Sequence, residues 1–318
     1  MVTPLKQPIV FELEGFYVPR GYGAFLFFLA LFHYMVMLLA NGVVLCVIVM
    51  DKSLHRPMFV MVCNLVVCDF LGATAVLPRL TMHFLTGQKK IAYIPAIAQA
   101  FSVHTYGVAV QTILGVMAYD RYIAVCEPLR YHAIMTSARL YCCCALAWVV
   151  ALLCIAVLFA FHMNTPLCGN TIKHNEVEGL HETDGIIVFF FLFFLGLSMT
   201  WSVSTSIFLI IAFSYFRILH ASVKQGRADN AVRSKAFQTC APHLVVYVLY
   251  EIASVVIIVS HRFPSLSQNI KKFFSLLFII MPPAINPIIY GLVSKELRDS
   301  IIKHFNNLQV FHQKMRGA

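Results

Sequence analysis

The chain has 318 residues, of which 60% are hydrophobic and only 12% are charged, and its formal net charge is +10. A soluble domain averages about 45–50% apolar and about 25% charged residues, so this composition excludes an ordinary soluble globular domain. The basic residues lie in short gaps between apolar runs, which favours membrane topology over nucleic-acid binding as the reason for the positive charge.

Apolar stretches long enough to cross a bilayer recur along the chain. A spanning helix needs about 20 mostly apolar residues. The seven stretches that qualify are residues 24–49, 58–84, 94–124, 141–162, 186–213, 237–260 and 273–291. The strand alternation of a membrane barrel does not recur. The sequence therefore predicts an all-α membrane protein, a seven-transmembrane helix bundle in which the first span directs insertion.

The distribution of Lys and Arg predicts the orientation. They are concentrated in residues 50–57, 125–140, 214–236 and the tail after Tyr290, whereas acidic residues offset them in the opposite gaps. The positive-inside rule places the basic set in the cytoplasm. We therefore expect a single domain over residues 1–318, with an extracellular N-terminus (1–23) and a cytoplasmic tail (292–318). Residues 294–308 of that tail read as an amphipathic helix on the inner leaflet.

Three polar side chains interrupt the apolar spans: Asn41 in the first, Asp69 in the second and Asn286 in the seventh. Polar groups inside lipid are costly and tend to be paired or functional. They predict a shared polar core, which is either a hinge between two states or a purely structural cluster.

Asp120, Arg121 and Tyr122 stand together at the cytoplasmic end of the third span. An acid next to an arginine at the membrane boundary can hold the arginine in one state and release it in another. The alternative is a pair of charges that reach the interface from a helix end.

The seventh span contains Asn286 and Pro287, with Tyr290 one turn further on. Proline removes a helix hydrogen bond and kinks the helix, so this segment is a candidate moving element. Proline alone is weak evidence, because membrane helices tolerate it.

Together the Asp-Arg-Tyr and Asn-Pro-x-x-Tyr motifs resemble those of the rhodopsin-like G protein-coupled receptors, and further runs resemble signatures of the odorant receptors. Those runs are residues 54–59, 117–126, 128–131, 214–215, 235–244 and 282–291. The His261-Arg262-Phe263 run resembles the class I, fish-like branch of that family.

The resemblance implies a mechanism and its partners. An odorant enters between the third, fifth and sixth spans, Arg121 leaves Asp120, and the open cavity accepts a stimulatory, olfactory-type heterotrimeric G protein. Tyr215 and Tyr290 help to hold that open state, and cyclic AMP rises. The implied ligand-binding residues are His104, Glu251, Ser254, Ile258 and Arg262. The resemblance implies a multi-pass protein of the plasma membrane whose partners are the odorant, the G protein and membrane lipid, with no cofactor, metal or nucleic acid.

The sequence departs from the family pattern at several positions. Ala96 replaces the cysteine that usually begins the third span, and Cys168 is the single cysteine of the loop at 163–185. We therefore expect this loop to lack a disulfide to the third span, to rest on packing and polar contacts, and to be mobile. Glycosylation sequons are absent, and Val110 replaces an acidic residue, which puts a sodium site at Asp69 in doubt. Glu251 replaces an aromatic residue, and there it is a neutral acid, a water-facing group or a ligand-binding group.

Two other functions compete with a ligand-gated receptor. A transporter or channel would show repeats and broken helices at mid-membrane, which the sequence lacks. A divergent receptor-like membrane protein without odorant response is the alternative that the missing cysteine pair and sequon keep open. Catalytic motifs are not apparent, so an enzyme is not expected.

Overall fold

The protein is described here from a computed structural model, which describes residues 10–13, 18, 21–88, 90–163, 171–172, 183–225, 244–257, 259–260 and 267–316. Three short strands accompany the helices: β1 (Val10–Leu13), β2 (Lys90–Ala92) and β3 (Thr171–Ile172). The helices are α1 (Gly23–Met50), α2 (Pro57–Thr86), α3 (Tyr93–Cys126), α4 (Tyr131–Ile134), α5 (Ser137–Met163), α6 (Thr183–Gln225), α7 (Leu244–Ile257), α8 (Gln268–Val293) and α9 (Lys295–Arg316).

Six of the described helices are long and apolar enough to cross a membrane, namely α1, α2, α3, α5, α6 and α8, and α7 is a shorter apolar helix. Large apolar side chains such as Phe28, Phe32 and Leu39 are more than half exposed on their outer faces. Such a continuous apolar surface is suited to lipid contact. The prediction of a seven-helix membrane bundle is confirmed.

Helix α3 is central, because it packs against α2, α5 and α6. Gly72 of α2 leaves room for the ring of Tyr106 of α3. A Cβ atom at Gly72 would lie 2.7 Å from the ring of Tyr106, a residue that is fully buried. Any larger side chain at this position would push the two helices apart.

Local sequence signals explain where α2 begins and ends. Pro57 occupies the first turn, where its missing N–H group costs no helix hydrogen bond. Gly87 follows the last residue with a left-handed φ of 67°, and its N–H group donates to the carbonyl of His83.

Two helices end well beyond the residue at which the sequence prediction ended them. The fifth predicted span ended at residue 213, but α6 continues to Gln225. The predicted tail helix ended at residue 308, but α9 continues to Arg316. Both extensions carry charged residues, Arg217 and Lys224 in α6 and Lys314 and Arg316 in α9. A helix needs apolar residues only while it contacts lipid, so hydropathy marks the membrane boundary and not the end of the helix.

Helix α9 is fastened to the turn between α1 and α2. Arg56 Nη1 donates to both carboxylate oxygens of Glu296, at 2.8 and 3.0 Å, and Ser300 Oγ donates to Asp51 Oδ2 at 2.6 Å. The hydroxyls of Ser300 and then Ser53 hold the pKa of Asp51 well below its usual value. The carboxylate therefore stays ionised at neutral pH and keeps α9 in place.

A small three-stranded sheet lies at the opposite end of the bundle, which we call the sheet end, in contrast to the α9 end. Strand β1 is central: it pairs antiparallel with β2 and parallel with β3. These strands were not among the elements predicted from the sequence. Strands of two to four residues are too short to show an alternating pattern.

Candidate functional site

The Asp120–Arg121 pair lies at the α9 end of α3. Arg121 Nη2 is 3.2 Å from Asp120 Oδ2, and the Asp120 side chain is fully buried while that of Arg121 is 12% exposed. The structure therefore holds Arg121 in the paired arrangement that the sequence analysis associated with one of two states.

Tyr131 completes this pair, although the sequence analysis gave it no role. Its hydroxyl donates to Asp120 Oδ1 at 2.8 Å from the one-turn helix α4. Burial, together with the Asp120 carboxylate, raises the pKa of Tyr131 above its usual value. The phenol therefore keeps its proton and remains a donor. Its place three residues after Pro128 is the sequence signal that could have pointed to it.

The polar core lies between α1, α2 and α8. Asn286 Nδ2 donates to both oxygens of Asp69, at 3.1 and 2.9 Å, and both side chains are buried. Buried polar groups need such partners, because an unmade hydrogen bond costs about 1–3 kcal/mol. Asp69 and Asn286 therefore join α2 to α8 in the interior of the bundle.

Asn41, the third residue of the polar core, bonds to a carbonyl group of α8 that a proline leaves without a donor. Pro287 has no N–H group for the carbonyl of Pro283, four residues earlier in α8. Asn41 Nδ2 donates to that carbonyl at 2.9 Å and to the carbonyl of Met37 at 3.1 Å. Helix α1 thus satisfies the acceptor that the proline leaves open.

The tyrosines of the predicted switch lie in the same interior. Tyr290 is buried in the main core cluster, and Tyr215 and Tyr122 pack against that cluster. The ring of Tyr122 also lies 6.1 Å from that of Phe213, in α6. The switch residues of α3, α6 and α8 therefore share one packed interior at the α9 end.

Glu251 is bonded to neutral donors of two neighbouring helices. Ser204 Oγ donates to both of its oxygens, at 3.1 and 2.9 Å, and Gln111 Nε2 donates to Oε1 at 3.1 Å. We call Gln111, Ser204 and Glu251 the Glu251 cluster. It joins α3, α6 and α7, and Gln111 and Ser204 carry no sequence signal that would have predicted their part in it.

The other predicted ligand-binding residues that the structure describes, His104 and Ser254, are seen in local contacts. His104 has an exposed side chain, its Nδ1 atom lies 2.7 Å from the carbonyl of Ala100, and its ring packs edge-on against Phe159 of α5. Neither contact is with Glu251. Ser254 Oγ donates to the carbonyl of Tyr250 within α7. Ile258 and Arg262 lie outside the described residues.

The sheet supplies polar contacts to the loop at 163–185, whose mobility stays a prediction. Strand β3 belongs to that loop, and its residues Thr171 and Ile172 pair with Glu12 and Leu13 of β1. Strand β1 in turn pairs with β2, which leads directly into α3. Backbone hydrogen bonds thus connect the loop to the start of α3, the two elements that the missing cysteines would have joined.

Cys168 is expected to form no disulfide within the chain. Every cysteine whose side chain the structure describes is a free thiol, and Ala96 removes the usual partner. Cys168 itself lies outside the described residues. Mass spectrometry of the alkylated, non-reduced receptor should show Cys168 modified or linked only between chains, with a reduced sample as the control. A peptide that links Cys168 to another cysteine of the same chain would contradict this expectation.

The fold and these motifs define a seven-helix receptor of the rhodopsin-like class. The structure of squid rhodopsin superposes with a TM-score of 0.69 over 93% of this chain and 88% of that chain, at 17% sequence identity, which supports the fold alone. The family model of the olfactory receptors matches residues 30–308. Human olfactory receptor 2K2 is 33% identical over 308 residues (92% of each chain), and human olfactory receptor 2F1 is 35% identical over 282 residues (86% of each).

The chain belongs to the olfactory receptor family. It is a multi-pass membrane protein and a receptor, not an enzyme, whose family binds small molecules and acts through G proteins. The assignment to the class I branch stays a prediction.

Proposed function

We propose that this receptor binds a small odorant at the sheet end and activates a stimulatory, olfactory-type G protein at the α9 end, which raises cyclic AMP. The observation that carries the proposal is the closed arrangement of Asp120, Arg121 and Tyr131. Asp120 holds Arg121, and the hydroxyl of Tyr131 holds Asp120, so Arg121 is the group that can be released toward a partner. The polar core beside Pro287 is the hinge through which α8 takes part.

The proposed orientation follows the distribution of basic residues. The sheet end is extracellular and the α9 end is cytoplasmic, because the gaps richest in Lys and Arg lie at the α9 end. The whole chain is then one receptor domain in the plasma membrane, with residues 1–23 outside and residues 292–318 inside. Lipid surrounds the bundle, and α9 lies along the inner leaflet.

Ligand binding is proposed to act through α7. The odorant enters between α3, α6 and α7, and α7 swings outward at the α9 end. Arg121 then leaves Asp120, while Tyr215 and Tyr290 hold the open form. Bundles such as this switch between packed arrangements because their interiors do not deform continuously.

The proposed ligand is a small anion, and Arg262 and His104 are its proposed partners. The planar fork of an arginine suits a carboxylate. Ser254 and Ile258 line the same pocket in this proposal. An amphoteric or hydroxylated ligand with its second polar group at Glu251 is the runner-up. Since Glu251 already accepts hydrogen bonds from Gln111 and Ser204, a ligand amine would have to share this carboxylate with them.

Arg262→Ala is expected to weaken acid agonists by about 1.5–3 kcal/mol, because a charge-assisted hydrogen bond is lost. The measurement is the agonist concentration for half-maximal cyclic AMP, for a series of acids and their methyl esters. Lys272→Ala, which removes a cation near the start of α8, is the control. Esters as potent as their parent acids, with unchanged potency in Arg262→Ala, would contradict the carboxylate assignment.

The proposed function is tested by expressing the receptor at the cell surface and screening small carboxylic and amino acids for a rise in cyclic AMP. A concentration-dependent rise that an empty-vector control lacks is the expected result. A receptor that reaches the surface and responds to no odorant would favour the alternative, a divergent receptor-like protein without odorant response.

A further inference from the structure

Arg79 is a cation inside the apolar membrane span α2. Apart from His83, the charged side chains of α2 are Asp69 and Arg79. Arg79 precedes Thr86, the last residue of α2, by seven residues, which places its Cα atom about 10 Å inside the sheet end. Ionisable residues at such depth are costly and persist where a partner or ligand holds them.

The observed partner of Arg79 is neutral. Its Nη1 atom donates to Gln99 Oε1 at 3.1 Å, in a half-buried contact between α2 and α3. Gln99 follows Tyr93, the first residue of α3, by six residues, so the two side chains start at similar depth, about 9–10 Å. Within the described part of the chain, Gln99 is the one hydrogen-bond partner of Arg79. An amide oxygen orients the guanidinium group but leaves its charge uncompensated.

The acidic side chains that the structure describes lie elsewhere. Asp69 is ten residues away on the same helix, about 15 Å, and it is bonded to Asn286. Glu251 accepts hydrogen bonds from Gln111 and Ser204. The others lie toward the α9 end, namely Asp51, Asp120, Glu127, Glu296 and Asp299. The counter-charge for Arg79 is therefore not among the described side chains.

A second buried cation lies at the same end of the bundle. Lys271 is three residues into α8, and only 1% of its surface is exposed. Helix α8 packs against α2. The start of α8 therefore places a buried lysine at the same end of the bundle as Arg79.

We propose that Arg79 and Gln99 bind the carboxylate group of a small organic acid. The guanidinium group has five N–H donors, of which Gln99 occupies one, and the amide N–H groups of Gln99 lie beside them. A carboxylate accepts hydrogen bonds only, and its geometry matches the arginine fork. This inference rests on the proposed function, and it places the carboxylate of a monocarboxylic acid at Arg79 and Gln99 as the alternative to Arg262. Affinity that falls in Arg79→Gln but not in Arg262→Ala would decide for Arg79.

The test is ligand binding to the purified full-length receptor in phosphatidylcholine nanodiscs, without G protein. The probes are the straight-chain carboxylates from butanoate to octanoate, and the matched primary alcohols are the control ligands. A ligand that binds the folded state raises the melting temperature as its concentration rises. We expect the carboxylates to raise the melting temperature of the unmodified receptor more than the alcohols do.

Four variants make the test specific. Arg79→Gln should weaken the apparent carboxylate affinity at least about tenfold, as expected for loss of a charge-assisted bond. Arg79→Lys keeps the charge without the fork and should bind at an intermediate level. Gln99→Ala should weaken binding less than Arg79→Gln. Lys90→Gln removes an exposed cation at the same end and should leave the affinity unchanged.

The outcomes separate this inference from the proposed function. The inference is overturned if carboxylates do not raise the melting temperature of the unmodified receptor, or if they raise that of Arg79→Gln equally. It is also overturned if an acidic side chain of this chain is found paired with Arg79. A receptor that still raises cyclic AMP with other odorants would then leave the proposed function standing. If Arg79→Gln fails to fold, equal carboxylate and alcohol effects in Arg79→Lys would overturn the inference instead.

Discussion

Replacement of Arg121 by alanine is expected to abolish agonist-driven cyclic AMP while leaving most of the protein folded. Arg121 is 12% exposed at the α9 end of α3, and it forms an ion pair with its own neighbour Asp120. Loss of the side chain therefore removes the group proposed to contact the G protein. The buried Asp120 retains the hydrogen bond from Tyr131, which limits the cost to folding. The measurement is cyclic AMP at matched surface expression.

The matched control for Arg121→Ala is Arg298→Ala. Arg298 also pairs with an adjacent aspartate, Asp299, at 3.8 Å, but both side chains are about half exposed on α9. Exposed pairs of this kind contribute little to stability, about 0–1 kcal/mol. The control should therefore keep its response. A full response in Arg121→Ala would contradict the proposed role of the switch.

Glu251→Ala is expected to lower the free energy of unfolding by about 2–4 kcal/mol. The Gln111 amide and the Ser204 hydroxyl would each lose an acceptor, and each such loss costs about 1–3 kcal/mol when the group is buried. The effect should also appear as looser packing of α6 and α7 against α3. The measurement is thermal unfolding of the purified receptor. Glu251→Gln retains an acceptor oxygen and should lose less.

A pair of serines in α6 provides the control for the Glu251 cluster. Ser204→Ala removes a hydroxyl that bonds across to α7, whereas Ser206→Ala removes a hydroxyl that bonds to the carbonyl of Ser202 in its own helix. Only Ser204→Ala should couple to Glu251→Ala in a double-mutant cycle, by about 0.5–3 kcal/mol. Additive effects of Ser204→Ala and Glu251→Ala would mean that the cluster does not act as a unit.

Much of the fold could be predicted from hydropathy, because lipid contact requires long apolar helices. The same argument fails where lipid contact ends. Helix α6 extends twelve residues past residue 213, and the strands of the sheet end carry no periodic signal. Both features depend on contacts with water or with distant backbone, which a local pattern does not encode.

The site was predictable where its residues are adjacent or form a distinctive motif. Asp120 and Arg121 are neighbours in sequence, and Asn286 with Pro287 mark α8. The partners supplied by other helices were not predictable, because a single Gln or Ser in an apolar span does not indicate which helix it faces. Gln111 and Ser204 are therefore identified as partners of Glu251 only from the packing.

The contact of Asn41 with α8 could be predicted only in part from the covalent structure of Pro287. The proline identifies the carbonyl of Pro283 as an acceptor in need of a donor, which is readable from the sequence. The donor is Asn41 of α1, more than 200 residues away, and only the packing of α1 against α8 identifies it.

The central claim, activation of a stimulatory, olfactory-type G protein by an odorant, is tested most directly by nucleotide exchange. The purified receptor in nanodiscs is mixed with that purified G protein, and the rate of GTP-analogue uptake is measured with and without an odorant identified in the cyclic AMP screen. The account predicts an odorant-dependent increase in the rate that Arg121→Ala removes. An odorant that binds the receptor but leaves the rate unchanged would contradict it.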